Sequence, residues 1–471
     1  MLKFFNTLRR RKEEFKPLTE DFVGIYTCGP TVYDYAHIGN FKTYVFQDIL
    51  RRYLRYKGFK LKQVMNITDV DDKTIKGSRK EGIPLKEYTE RYAQAFFEDL
   101  EKLNIEKVEV YPRATEHIQE MVALIQKLME KGIAYKGDDG SIYYNIRKFK
   151  DYGKLSRLKL NELKGGARVS HDTYDKKQVA DFALWKAWDE NDGEVFWETP
   201  LGKGRPGWHI ECSAMSLKYL GETFDIHSGG VDLIFPHHEN EIAQSERATG
   251  KEFARYWVHG EHLLVEGRKM SKSLGNFYTL RDILAKGYSP KGIRWLLMSG
   301  YYRQQLNFTL SALEAAEKTA ENFICFYLNL KEVKTKGKQS TEVQRLVEKT
   351  QRDFENAMDD DLNMPSALSA VFELVKESNK LLAKNKLSET DAKAITLFLE
   401  KINKVLGILG YAEEKQSVEK ELKKFVEKKI KEREEARRKK NFKKADGIRE
   451  ELKKKGIVLE DTKDGVKWRI G

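Results

Sequence analysis

Apolar positions along this chain change period several times, and the changes mark its organisation. Phe22 to Tyr26 is a short, largely apolar run closed by Gly29-Pro30, the pattern of a buried strand ending in a turn. Ile38 to Tyr56 repeats apolar residues at helical spacing (Phe41, Val45, Ile49, Leu50, Leu54) and stops near Gly58. Leu61 to Ile67 reads as a second strand, less cleanly patterned than the first. Strand, crossover helix, strand is the opening of a parallel α/β sheet. Helical periodicity follows at Leu85 to Leu103 and Glu116 to Lys131. From about Tyr135 to Glu198 the pattern breaks into short, polar, turn-rich pieces that predict an insertion. Sheet and helix signals resume from Pro206 to about Tyr302.

Beyond Leu306 the period is helical. Leu310 to Leu330, Glu342 to Met358, Pro365 to Leu382 and Thr390 to Leu409 predict a bundle, with Val333 to Ser340 a loop inside it. Asn363 and Pro365 supply a helix start. Ala412 to Ser417 reads as a linker into a last module of two charged helices and a hairpin. In that hairpin Ile457 to Leu459 pairs with Val466 to Ile470 across a turn containing Asp464-Gly465.

A length of 471 residues implies more than one core, and 40% hydrophobic content with 24 Phe, 22 Tyr and 7 Trp is enough to fill them. No apolar run is long enough to span a bilayer, and the basic stretch Met1 to Glu13 lacks the apolar core of a secretory signal. A cytoplasmic protein without a membrane partner is the expectation. Net charge is +13, which suggests a polyanionic partner. Its distribution says more: residues 421–471 hold 19 Lys and Arg against 11 Asp and Glu, a net of +8. A solvated pair of Lys-rich helices and an RNA-binding module are both open on charge alone. Three cysteines do not make a disulfide framework. Cys325, within the apolar run Phe323 to Tyr327, reads as a small buried hydrophobe, whereas Cys28 and Cys212 lie among chemically richer neighbours.

The first of these neighbourhoods is Cys28-Gly29-Pro30-Thr31-Val32-Tyr33-Asp34-Tyr35-Ala36-His37-Ile38-Gly39-Asn40, at the end of the first strand and the start of a helix. Open α/β sheets bind ligands there, and a helix N-terminus offers backbone N–H groups to a phosphate. His37 and Asn40 add side-chain donors, and Gly39 allows close approach of a nucleotide, although a His at this place is often only a cap. A second signal is Lys269-Met270-Ser271-Lys272-Ser273, followed by Leu274-Gly275-Asn276. Two ammonium groups and two hydroxyls on a Gly-containing loop suit a triphosphate, where the protein supplies position and charge neutralisation; an exposed polar loop is the plain alternative. The third runs from Gly207-Trp208-His209-Ile210-Glu211-Cys212 to His227-Ser228-Gly229-Gly230-Val231-Asp232 and Pro236-His237-His238-Glu239-Asn240-Glu241. With a helix starting at Pro236, His237 and Glu241 share a face and could hold one ion, although on the residues alone capping and surface ion pairs are the favoured reading.

Together these motifs resemble the HIGH and KMSKS pair of class I aminoacyl-tRNA synthetases, and the third signal resembles the cysteinyl-tRNA synthetase family. The likeness extends to Asn66-Ile67-Thr68-Asp69-Val70-Asp71-Asp72-Lys73, Asp181-Phe182-Ala183-Leu184-Trp185-Lys186, Asp360-Asp361-Leu362-Asn363 and the terminal Gly456 to Thr462 with Trp468-Arg469. One departure is Asn40, where the first motif ends in His in the pattern. The resemblance implies a Rossmann-type α/β catalytic domain over 1–305, with an insertion at about 114–200 and the KMSKS-bearing segment at about 255–305. It further implies a helical bundle over 306–411 and a basic anticodon-binding module over 412–471, with Trp468 a stacking surface for bases. It makes Cys28, Cys212, His237 and Glu241 the ligands of one Zn²⁺, Thr31 and Trp208 substrate-binding, and His37, Asn40, Lys269 and Lys272 catalytic. Gly39, Gly230, Asp232 and Lys272 would bind ATP, with Mg²⁺ accompanying it. The implied partners are tRNA(Cys), ATP and L-cysteine, acting on a monomer by default.

The chemistry is coherent. Cysteine differs from serine by a thiol in place of a hydroxyl, and a pocket reading size alone separates such near-isosteres weakly. Zinc binds thiolate far better than alkoxide. Its implied ligand set would leave the zinc centre formally at −1, poor for activating water and suited to recognition. Two rivals remain at this stage: a paralogous ligase passing cysteine to an amino sugar, which would lack the terminal module, and an RNA-binding protein with a dead site.

Overall fold

The computed structural model describes residues 1–158, 168–169, 180–271, 274–439, 441–454, 457–462 and 465–470. Four parallel strands form the central sheet, in the order Ala254–Gly260, Phe224–Gly230, Val23–Thr27, Leu61–Met65. Val23–Thr27 is buried at every position, as a strand covered on both faces must be. The crossover helix runs Ile38–Tyr56, the span its periodicity predicts. The second strand stops at Met65 rather than Ile67, because Asn66 turns out of the ladder to meet the first loop. The Gly29 N–H donates to Asn66 Oδ1 at 2.9 Å, and a Cβ on Gly29 would lie 1.9 Å from the Asn66 carbonyl, so only glycine fits.

Chain order across this sheet reverses between Val23–Thr27 and Phe224–Gly230, which creates a topological switch point. Their C-terminal ends lie side by side, with the Cys28 N–H donating to the Ser228 carbonyl at 3.3 Å. Two elements escape the apolar pattern. A hairpin, Lys3–Asn6 against Arg11–Glu14, is too short to show a period. Helix Asp72–Glu81 is mostly polar and is specified instead by its ends, an Asp71/Thr74 capping box and a left-handed Gly82. Helices Leu85–Lys102 and Ile118–Glu130 lie close to their predicted spans. The turn-rich stretch after them forms a mainly antiparallel sheet, in the order Ala134–Lys136, Ile142–Tyr144, Asp181–Ala187, Gly202–Pro206, Trp197–Thr199, with Arg168–Val169 beside Asp181–Ala187.

Helices Leu310–Lys331, Thr341–Asp359, Met364–Ala383 and Glu389–Leu406 follow, the third capped by Asn363. They pack with the sheet domain into one compact unit, Met1–Ile408. A buried ion pair fastens it. Arg294, wholly buried, donates to Asp48 Oδ2 at 2.6 Å and to the carbonyls of Leu103, Asn104 and Leu406. Asp48 also accepts from Arg52 at 2.7 Å. Buried Asp361 gathers the Phe5 N–H, the hydroxyls of Tyr301 and Tyr302 and the Arg303 guanidinium. Cys325 is half-buried rather than buried, its thiol facing Glu321 on the same helix.

Leu409–Gly471 is a second unit. Its first helix, Gly410–Arg438, runs straight through 412–417, which composition reads as a linker. That stretch is polar but holds no Gly or Pro, and Ala, Glu, Lys and Gln favour helix. Helix Phe442–Lys454 and a hairpin follow, Ile457–Thr462 against Gly465–Ile470, with Ile457 opposite Ile470. Asp464, expected in the turn, lies outside the described residues. Val426, Ile448, Leu452, Ile457 and Leu459 form this unit's small core. No described helix is long and apolar enough to cross a membrane.

Candidate active site and metal centre

A cavity of about 230 Å³ opens at the switch point. Cys28, Thr31, His37, Asn40, Trp208 and Asp232 all line it, with Gly230. The first and third sequence signals, some two hundred residues apart, therefore meet in one crevice. His37 caps the helix that begins at Ile38. Its Nδ1 accepts from the Asn40 N–H at 3.1 Å, while Asn40 Oδ1 accepts from the His37 N–H at 3.1 Å. The capping and site readings of His37 are thus not exclusive. Asn40 uses its carbonyl oxygen for the cap, which orients its amide nitrogen as the donor group.

The second signal reaches the first through its neighbours. Lys269 is exposed on the short strand Arg268–Lys269, while Lys272 and Ser273 lie outside the described residues. Asn276 closes the loop, accepting from the Ser271 N–H and donating to the Lys269 carbonyl. Met270 Cε lies 3.0 Å from where a Gly39 Cβ would stand, so that the space beside Gly39 is shared with this loop. The Ile38 N–H donates to the Tyr278 carbonyl, and the His37 ring meets Phe277 edge-on at 5.2 Å. A Cβ on Gly230 would sit 2.3 Å from Asp232 Oδ1, so the Asp232 side chain takes the space beside that glycine.

At one end of the crevice, the potential ligand atoms of Cys28, Cys212, His237 and Glu241 all lie within 4.8 Å of one another, and all four residues are buried. The helix carrying Glu241 starts at Glu239 rather than at Pro236. Ile234–His238 forms a wider turn with Phe235 in extended conformation. His237 and Glu241 still meet, Nε2 to Oε1 at 3.1 Å. Trp208 stacks on the His237 ring at 4.1 Å and 27°, closing the cluster on the cavity side.

Sequence reasoning missed the imidazoles behind this quartet. His209 Nδ1 lies 2.9 Å from His237 Nδ1, and His227 Nε2 lies 2.8 Å from Glu241 Oε2. His238 Nε2 lies 3.3 Å from Cys28 Sγ, with His259 Nε2 2.8 Å from its Nδ1. The available signal was concentration: five of the chain's nine histidines fall between 209 and 259, and all five are buried.

Burial governs the charge state here. It pushes the Cys28 thiol well above the ordinary range, raises Cys212, and lifts Glu241 to about 7. Burial, then the neighbouring rings, hold His209, His227, His238 and His259 well below the usual imidazole range. Neutral imidazoles are ready ligands, and two thiols with a carboxylate are groups that a divalent cation would ionise by offsetting the desolvation cost. Two sulfurs, one nitrogen and one oxygen are a donor set that tetrahedral zinc accepts. The cluster is a candidate metal site, and its residues fit zinc.

A parallel sheet with a nucleotide-type crevice at its switch point, flanked by these two motif loops, defines a class I aminoacyl-tRNA synthetase. Residues 14–318 match the family of tRNA synthetases class I (C) catalytic domains, 353–410 the DALR domain, and 420–469 the cysteinyl-tRNA ligase anticodon binding domain. The chain belongs to the cysteine–tRNA ligase family. It is 48% identical over 474 residues to the cysteine–tRNA ligase of Protochlamydia amoebophila, covering 99% of this chain and 98% of that one. With the cysteine–tRNA ligase of Chlamydia felis it shares 49% over 471 residues, 99% and 97% of the two chains. Among solved structures, Mycobacterium tuberculosis methionyl-tRNA synthetase in complex with methionyl-adenylate matches at TM-score 0.64 and 16% identity, covering 83% of this chain and 92% of that one, a likeness of fold.

Proposed function

We propose that this chain activates L-cysteine with ATP, releasing pyrophosphate, and passes the cysteinyl group to the 3′ end of tRNA(Cys). The observation that carries the amino-acid choice is the quartet Cys28, Cys212, His237, Glu241 at the edge of the nucleotide crevice. Zinc bound by these four residues would supply a borderline-soft Lewis acid that selects the cysteine thiolate over a serine hydroxyl. Thr31 and Trp208 wall the substrate side, Trp208 also fixing the His237 ring.

The cysteine carboxylate attacks the α-phosphorus, the bond to pyrophosphate breaks, and the leaving charge is met by His37, Asn40, Lys269 and Lys272. The cap between His37 and Asn40 sets both side chains at a helix N-terminus, where phosphate is favoured. Gly230 and Asp232 underlie the nucleotide, Asp232 accepting from the ribose, and Mg²⁺ enters with ATP. A terminal ribose hydroxyl of tRNA then attacks the adenylate carbonyl, and AMP leaves. The basic terminal module reads the anticodon, which favours tRNA over a small acceptor. The protein acts in the cytoplasm.

The test is transfer of labelled cysteine to unfractionated tRNA, with serine as control, before and after chelation. Charging with cysteine alone that fails on chelation and returns with Zn²⁺ is the expected result. Cysteine-dependent pyrophosphate exchange without charging would move the acceptor away from tRNA. Lys269→Ala should lower kcat for exchange on the order of 10²-fold, as removal of one charge-stabilising donor does, with the KM for cysteine little changed. An unaltered kcat would take Lys269 out of the reaction.

A further inference from the structure

We propose that the centre holds a second ligand quartet, Cys28, His227, His238 and Glu241, able to take the same ion in an adjoining position. It rests on the metal reading above and goes beyond it. The donor atoms of these four residues also lie within 4.8 Å of one another, and all four are buried. Cys28 Sγ is 3.3 Å from His238 Nε2, and Glu241 Oε1 is 3.9 Å from that nitrogen. Glu241 turns Oε1 toward His237 and Oε2 toward His227, so one carboxylate faces both nitrogen arms.

The second set has the support of a ligand shell at His238, while at His227 the buried Nδ1 has no hydrogen-bond partner among the described residues and packing alone holds the ring. A ligating imidazole is fixed by a partner on its other nitrogen. His237 has His209 in that place. His238 has His259, which is itself anchored through Nδ1 to Thr7 Oγ1 at 2.8 Å. The His227 ring lies nearly parallel to Trp257, 4.4 Å away at 14°, which fixes its plane. One thiolate, two imidazoles and a carboxylate suit zinc and the other borderline divalent ions. Both sets use Cys28 and Glu241, so they are alternative positions for one ion, joined along the Cys28–Glu241 edge. An ion that loses Cys212 or His237 then keeps four protein ligands by crossing that edge.

The plainer role for His227 and His238 is hydrogen-bond support of Glu241 and Cys28, and cobalt separates the two. The full chain, freed of metal, is titrated with Co²⁺ and followed by the thiolate charge-transfer band and the visible spectrum of tetrahedral cobalt. Wild-type protein gives both. Cys212→Ala/His237→Ala is expected to bind one Co²⁺ per chain, still tetrahedral, with a charge-transfer band about half as intense because one thiolate replaces two. Adding His227→Ala and His238→Ala should remove the tetrahedral spectrum. A folded double variant, judged by circular dichroism, that gives no tetrahedral cobalt overturns the proposal, as does a quadruple variant that keeps it. Should the double variant not fold, the volume-keeping Cys212→Ser/His237→Gln is compared with and without His227→Ala and His238→Ala; a tetrahedral spectrum lost only with the added pair is expected, and one kept there overturns the proposal. A wild-type chain lacking the thiolate band would instead sink the metal reading itself.

Discussion

Replacing Cys28 by alanine is expected to yield a folded chain that holds no metal and activates cysteine on the order of 10⁴-fold less efficiently in kcat/KM. Cys28 is shared by both quartets, so its loss leaves no complete ligand set on either side of Glu241. A site built to bond one polar group of its substrate rejects an analogue lacking that group by about 10⁴ to 10⁵, and removing the receptor from the protein side forfeits the same contact. The fold should survive, because a buried thiol contributes little more than a small apolar group, a loss of about 1 kcal/mol. Metal analysis, cysteine-dependent pyrophosphate exchange and circular dichroism on one preparation decide the matter. A metal-replete variant, or one with near-normal kcat/KM for cysteine, would remove the thiolate-recognition reading.

Asp48→Ala should destabilise the unit Met1–Ile408 by about 3–5 kcal/mol, since it strands the wholly buried Arg294 guanidinium without its counter-charge. Three carbonyls still accept from Arg294, but none carries charge. Burial by itself would raise the Asp48 carboxyl. Arg294 and Arg52 outweigh it and hold the group below the ordinary carboxylate value. A carboxyl depressed in the folded state stabilises above its unfolded pKa, about 4, and loses that contribution as pH falls through the folded value. Urea unfolding at neutral pH should therefore show the full deficit in Asp48→Ala, and below pH 4 the two proteins should converge. Equal midpoints at pH 7 would mean that the pair is replaceable by water.

How much of this was legible in the sequence varies by element. Ile38–Tyr56 could be read to the residue because one apolar face runs its whole length into the core. Asp72–Glu81 could not, because it is held by its caps and by few apolar contacts. The linker assigned to 412–417 failed because polarity was taken for a break where no breaker residue exists. Cys28 and Cys212 were separable from Cys325 by their neighbours, yet only strand order brings them together, and local pattern does not encode strand order. The buried histidines behind the quartet stood in plain view as residues. What hid them is that a lone imidazole carries no information about what it faces.

The hydrogen bond from the Cys28 N–H to the Ser228 carbonyl spans 200 positions of sequence. It forms only when the first and third strands have become neighbours, the slowest kind of pairing for a chain to find. Neither quartet can be complete before that event, because Cys28 and the other ligands come from the two strands' separate neighbourhoods. An ion that needs all four ligands would find no complete site on a chain whose first and third strands have not yet paired.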